Sequence, residues 1–371
     1  MKVLLAAGGT AGHIEPALTL ADTLRAADPS VDVVAIGRED GLEARLVPAR
    51  GYRLRTIPAV PLPRRVSRDL ALVPPRVSGS IRRVAAVMRE ERPDVVVGFG
   101  GYVALPAYLA ARRLGIPLVI HEANARAGLA NRVGARLTPW VAEAVAGSLP
   151  GATHVGMPLR ASIRDLRRPG SASTAADARR ALGLDPRLPT LLVFGGSLGA
   201  QRLNRSVTEA AEELTAAGVQ VLHASGERGS GMPEGGLRAR MPDEAPYVVV
   251  PYLDRMDLAY SAADLAVTRA GAMTCAELAA IGLPAVYVPL PIGNGEQCLN
   301  AEPVVAAGGG LLVDDADFTP ESVRRIVIPL ALDPVRLAAM RESASGQGVS
   351  DGDERLADLV RAAALLGGRR R

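Results

Sequence analysis

Residues Leu4-Leu5-Ala6-Ala7-Gly8-Gly9-Thr10-Ala11-Gly12-His13 align without a gap on Leu191-Leu192-Val193-Phe194-Gly195-Gly196-Ser197-Leu198-Gly199-Ala200. Each run reads as a buried strand, a glycine turn and the start of a helix, and each opens one half of a 371-residue chain. Working outward, β-branched or Leu-rich runs at 31–36, 94–97 and 118–121 predict further strands in the first half. Runs at 219–223, 247–250, 265–268, 285–288 and 311–313 do so in the second. Helix-period segments lie between them, such as Ile14, Leu18, Ala21 and Leu24, whose spacing turns one apolar stripe toward a sheet. Strands alternating with helices imply parallel sheets covered on both faces, so the fold class is α/β. The simplest architecture is two similar α/β domains flanking a cleft. The expected boundaries are 1–161 and 162–348, with a Ser-, Ala-, Arg- and Pro-rich connection over 162–189. An amphipathic C-terminal helix in 349–371 could pack on either half.

Composition narrows the function. Two cysteines, Cys275 and Cys298, cannot build a disulfide framework or a four-cysteine zinc site, which points to a reduced, cytoplasmic setting. Lys2 is the only lysine, so Walker A phosphate chemistry and Schiff-base chemistry are excluded. Aromatic residues are only 3% of the chain, too few for the stacking platforms of a single-strand nucleic-acid binder. The longest uncharged run, 278–295, is broken by Pro284, Pro289 and Pro291 and does not read as a membrane span.

A strand-to-helix turn rich in glycine lets backbone amides approach an anion, and the helix dipole adds partial positive charge without a lysine. Two matched turns therefore favour phosphate binding over mere tight turning. Neither is a dinucleotide fingerprint, because Thr10 and Ser197 stand where the second glycine belongs. Gly98-Phe99-Gly100-Gly101-Tyr102 and Arg269-Ala270-Gly271-Ala272-Met273-Thr274 are further turns of the same kind, each expected after a strand. Glu277 has two readings: a capping-box partner of Thr274, or a carboxylate for a ribose diol. His13 has Ala200 as its counterpart, so only the first turn carries a group that titrates near neutrality. At a helix N-terminus that imidazole would stay mostly neutral and could take a proton. His121-Glu122-Ala123-Asn124 ends a strand at the edge where open α/β sheets bind ligands. Asp315-Ala316-Asp317 has the look of a metal site but reads as a solvated loop. With no metal expected, Arg160 is a candidate to meet leaving-group charge.

The six motifs containing Gly8 to His13, Gly98 to Tyr102, His121 to Asn124, Gly195 to Ser197, Arg269 to Thr274 and Gly295-Glu296-Gln297-Cys298-Leu299-Asn300 occur in order. Together they resemble the MurG family of peptidoglycan N-acetylglucosaminyltransferases, in its actinobacterial branch. The resemblance implies a GT-B fold of two Rossmann-like domains. It implies inverting, metal-independent transfer of GlcNAc from UDP-GlcNAc to the MurNAc 4-hydroxyl of lipid I, giving lipid II and UDP in peptidoglycan synthesis, with no cofactor. Carried over by position, Ser197 contacts the nucleotide and Leu253 borders the uracil. Gly271, Ala272, Met273 and Thr274 meet the donor pyrophosphate, Glu277 holds the ribose and Gln297 the GlcNAc hydroxyls. Asn124 and Arg160 reach the donor from the other side of the cleft, with Thr10, Ala11 and Gly12 also near it. Gly8, Gly9, Gly12, Gly100, Gly101 and Tyr102 receive the acceptor pyrophosphate. His13 is the implied general base, with His121 and Glu122 as the other candidates. Leu198 replaces a customary glutamine, and Cys298 stands where a basic or polar residue is common.

Between 60 and 92, Arg64, Arg65, Arg68, Arg76, Arg82 and Arg83 interleave with Leu70, Leu72, Val73, Val77, Ile81 and Val84. This reads either as an amphipathic helix with a solvated face or as a basic patch for anionic lipid. The polyprenyl acceptor implies the latter. The partners expected are then UDP-GlcNAc, lipid I, the cytoplasmic face of the membrane, and cell-wall synthesis and division proteins, with no nucleic acid.

Overall fold

The computed structural model describes residues 1–57, 73–167, 174–196, 200–226, 229, 244–291 and 294–368. Ser197, Leu198 and residues 58–72 of the basic stretch lie outside them. The chain divides into two compact units, Met1–Leu159 with Ser350–Arg371, and Arg160–Val349.

The first unit is built on seven parallel strands in the order β3-β2-β1-β4-β5-β6-β7. They are β1 Lys2–Ala7, β2 Asp32–Gly37, β3 Arg53–Thr56, β4 Val95–Gly100, β5 Leu118–Glu122, β6 Trp140–Glu143 and β7 Thr153–His154. The second has six, in the order β10-β9-β8-β11-β12-β13. These are β8 Thr190–Phe194, β9 Gln220–Ala224, β10 Tyr247–Val250, β11 Leu265–Thr268, β12 Ala285–Tyr287 and β13 Gly310–Leu312. All pairings are parallel: β1 lies between β2 and β4, and β8 between β9 and β11. The sequence echo is thus a structural one, with each copy supplying a central strand whose residues are buried on both faces.

Strands β3 and β7 carry no apolar run and escape a hydrophobicity reading, and β6 (Trp-Val-Ala-Glu) is a further strand not expected from the sequence. β3 (Arg-Leu-Arg-Thr) is an edge strand whose charges belong at the rim. There Glu91, buried at the end of the helix Val73–Glu91, pairs with Lys2, Arg53 and Arg55. That helix turns Val84, Val87 and Met88 into the core while Arg82 and Arg83 remain exposed. From residue 81 onward its apolar face is therefore spent on packing. The C-terminal helix Gly352–Gly368 packs on the helix Ala11–Ala27, burying Leu356, Ala357, Val360 and Ala363 completely. In the second unit the supposed connection contains the helices Ala161–Arg164 and Ala175–Ala181. The latter is tied down by Arg179, which pairs with Asp264 at 2.7 Å.

Candidate active site

In the first unit the turns after β1, β4 and β5 meet at the carboxyl edge of the sheet. Gly9 has φ +93° and Gly101 has φ +83°, and a Cβ on Gly101 would overlap the Gly8 carbonyl. The two glycine turns therefore touch backbone to backbone, which only glycine permits. The expectation that Gly98 to Tyr102 follows a strand ending at residue 97 is corrected: β4 runs on through Gly100. The helix Ala11–Ala27 then begins with Thr10 as a residue that provides no side-chain cap, so its first amides face outward.

His13 stands in the first turn of that helix, its Nδ1 3.1 Å from Thr10 Oγ1. On its other side, a Cβ added to Gly100 would lie 3.1 Å from His13 Nε2. Burial lowers the His13 pKa from the ordinary 6.5, while the Glu122 charge and the Gly8 carbonyl oppose that shift. His121 is fully buried, with Nε2 3.0 Å from the Gly156 carbonyl and its ring tilted against Phe99. Burial lowers its pKa as well.

Glu122 is committed to its own loop. Oε1 accepts the Asn124 N–H at 2.9 Å and the Asn124 amide at 3.3 Å. Oε2 accepts the Gly128 N–H at 3.0 Å and Asn131 Nδ2 at 2.9 Å. Asn131 in turn accepts the Tyr108 hydroxyl at 2.6 Å. Glu43, buried beneath the first turn, accepts the Gly9 N–H at 3.4 Å and the Tyr102 hydroxyl.

The second unit repeats the device without the histidine. Gly196 has φ +90°, matching Gly9, and a Cβ on Gly195 would overlap Ala200 at the head of the helix Gln201–Glu209. Beneath that helix, buried Asn204 donates to the Ser225 carbonyl at 2.8 Å and accepts from His223 Nε2 at 3.0 Å. After β11, Gly271 is the N-cap of the helix Ala272–Ile281 and no side chain caps it. This settles the two readings of Glu277 against the capping box, since Thr274 lies inside the helix. Glu277 Oε2 instead accepts the Tyr260 hydroxyl at 2.7 Å, and Oε1 lies 3.3 Å from Arg160 Nη2. Burial beside that carboxylate raises the Tyr260 pKa. Arg160, expected on the other domain, belongs to the same unit as Glu277. Gln297 accepts the Leu290 N–H at 2.9 Å through Oε1, and Leu253 packs half-buried against the core. Asp315 corrects the solvated-loop reading: largely buried, it pairs with Arg269 at 2.6 Å and Arg202 at 2.9 Å, joining the two glycine turns of this unit.

Glu43, Asn131, Tyr108, Tyr260 and the pairing of Asp315 were missed by sequence reasoning. All act through tertiary contacts, and the one local signal was the glycine pair Gly37 and Gly41 flanking Glu43. Among the described residues no cluster of three or more His, Cys, Asp or Glu could hold a metal ion.

Two parallel α/β units, each opening on a glycine turn at a sheet edge, are the double Rossmann-like plan of the GT-B fold. Residues 3–145 match the glycosyltransferase family 28 N-terminal domain, and residues 190–356 the family 28 C-terminal domain. The chain is 58% identical over 361 residues to a Streptomyces avermitilis protein, covering 97% of this chain and 98% of that one. That relative is the UDP-N-acetylglucosamine--N-acetylmuramyl-(pentapeptide) pyrophosphoryl-undecaprenol N-acetylglucosamine transferase. The Acidothermus cellulolyticus enzyme of the same name is 58% identical over 365 residues, covering 98% of both chains. The crystal structure of Acinetobacter baumannii MurG superposes with a TM-score of 0.73 at 27% identity, covering 97% of this chain and 99% of that one. The chain belongs to glycosyltransferase family 28, in the branch of these N-acetylglucosamine transferases.

Proposed function

We infer that this protein transfers GlcNAc from UDP-GlcNAc to the MurNAc 4-hydroxyl of undecaprenyl-pyrophosphoryl-MurNAc-pentapeptide, forming lipid II and UDP in peptidoglycan synthesis. The observation that carries this reading is full-length identity of 58% to enzymes of that name. Transfer is inverting and direct. The acceptor oxygen bonds to the anomeric carbon as the bond from that carbon to the UDP β-phosphate oxygen breaks, and the hydroxyl proton passes to a base.

His13 is that base. In the tautomer whose Nδ1–H donates to Thr10 Oγ1, Nε2 keeps its lone pair on the side of Gly100 and the acceptor turn. Glu122 is a poor alternative because four donors already occupy its oxygens. The uncapped amides at Ala11 and Gly12 meet the acceptor pyrophosphate. Those of Ala272, Met273 and Thr274 meet the donor pyrophosphate and carry the charge that leaves with UDP. Glu277, oriented by Tyr260 and Arg160, accepts from the ribose diol, and Gln297 contacts the sugar.

The acceptor's polyprenyl chain confines the reaction to the cytoplasmic membrane surface. No described helix is long and apolar enough to cross a membrane, and association is proposed to be peripheral. The deciding experiment incubates purified protein with UDP-GlcNAc and lipid I in chelator-treated buffer and follows lipid II and UDP. Absence of lipid II would reject the reading, and activity only on restoring a divalent ion would reject the metal-free mechanism.

A further inference from the structure

Glu43 opens the short helix Glu43–Ala49, where a glutamate would normally sit in solvent, yet its side chain is fully buried. The carboxylate gathers three strand-end turns of the first sheet. Oε2 accepts the Gly9 N–H at 3.4 Å from the turn after β1. Oε1 accepts the Arg38 N–H at 2.8 Å from the turn after β2, and the Tyr102 hydroxyl from the turn after β4. The surroundings are shaped to this one side chain: a Cβ on Gly37 would overlap its Cγ, and one on Gly41 would stand 2.6 Å from its carboxylate oxygens.

Three neutral donors hold this carboxylate, and among the described residues no guanidinium or ammonium is bonded to it. Arg38 directs its guanidinium instead to Asp40 and over the Tyr102 ring, 5.7 Å from the centroid. A buried carboxylate so held is costly compared with an apolar side chain of the same shape. What it provides is geometry. Gly9, Gly101 and Tyr102 cannot move independently while it is in place. It also decides which amides remain for a ligand, because the Gly9 N–H is already taken. Among the donors left are those at the uncapped start of the helix Ala11–Ala27, beside His13.

We propose that Glu43 is a positioning residue for the pyrophosphate-bearing acceptor, holding the turn of Gly8 to His13 open and Tyr102 at its edge. The proposal rests on the acceptor reading above. Glu43→Ala would leave three buried donors unpaired and tests folding as much as function. Glu43→Gln keeps the shape and one accepting oxygen but turns an NH₂ toward the donors on its other side. In the full-length protein, Glu43→Gln should raise the KM for lipid I at least tenfold, lower kcat by a smaller factor, and leave the calorimetric Kd for UDP within twofold. Hydrogen–deuterium exchange supplies a readout that needs no turnover: within 8–12 the Gly9 amide, which Glu43 accepts, should exchange at least tenfold faster, with 190–196 unchanged. Unchanged acceptor KM together with unchanged exchange at 8–12 overturns the proposal. So does faster exchange throughout the chain with UDP binding lost, which would make Glu43 a support of the fold alone. A wild-type protein inactive on lipid I would sink the acceptor reading, while the exchange measurement would still decide whether Glu43 holds the turn.

Discussion

His13 sits half-buried between Thr10 and Gly100, and burial is the largest influence on its pKa, drawing it below 6.5. A base must be neutral to work, so activity should be retained down to that lowered pKa and fall below it. His13→Ala should lower kcat at least ~10²-fold and remove this acidic limb, with UDP affinity near wild type; pH–kcat profiles and calorimetry check both. Glu122→Gln is a poor rival test, because an amide cannot accept from all of Asn124, Gly128 and Asn131. Lost activity there should come with a stability loss of about 1–3 kcal/mol, visible in denaturant unfolding. On the proposed ribose assignment, Glu277→Ala should weaken UDP binding by ~1–3 kcal/mol, since it removes the diol's acceptor and the carboxylate to which the Tyr260 hydroxyl donates. Calorimetric titration showing unchanged UDP affinity would end the ribose assignment.

At the scale of elements, the glycine turns were legible because their residue types are dictated locally. Gly9 and Gly196 need positive φ, and both sit where an apolar run stops abruptly. The role of Glu277 was not, because the spacing from Thr274 to Glu277 satisfies a capping box on paper. The helix actually begins at Ala272, behind Gly271, and this frees the carboxylate for Tyr260. β3 was invisible because an edge strand of alternating arginines carries no hydrophobic signal, and Asp315 looked solvated because its two arginines are 113 and 46 residues away in sequence. His223 belongs here too. It ties β9 to the helix Gln201–Glu209 through Asn204 and to Tyr247 at 2.9 Å. Burial pushes its pKa down to about 4. The unfolded chain therefore takes up this proton first. The stabilisation is complete above pH 6.5, fades as pH falls, and is gone below about 4, a loss of order 3 kcal/mol. Urea unfolding at pH 7.5 and pH 5 should show this slope in the wild type and a shallower one in His223→Gln.

At the scale of the whole molecule, the division into units does not follow the order of the chain. The first unit is completed by the last residues of the chain, Ser350–Arg371. Leu356, Ala357, Val360 and Ala363 share a core with Ile14, Leu18 and Ala21, and Thr23 donates to Asp353 at 2.8 Å. Removing the helix would uncover both faces of that contact. Burial at ~1.5–3 kcal/mol per Leu or Val side chain, with less for each Ala, makes the loss of order 6 kcal/mol. That is comparable with the whole stability of a typical domain, ~5–15 kcal/mol. A chain ending at Val349 should therefore lose the ordered first unit and, with it, all transfer to lipid I. The second unit, Arg160–Val349, keeps every residue of the donor set that it holds, so calorimetric UDP binding should survive within a few-fold. Transfer surviving in the truncated chain would show that the helix is dispensable to the first unit's core. Loss of UDP binding as well would show that the second unit depends on it too.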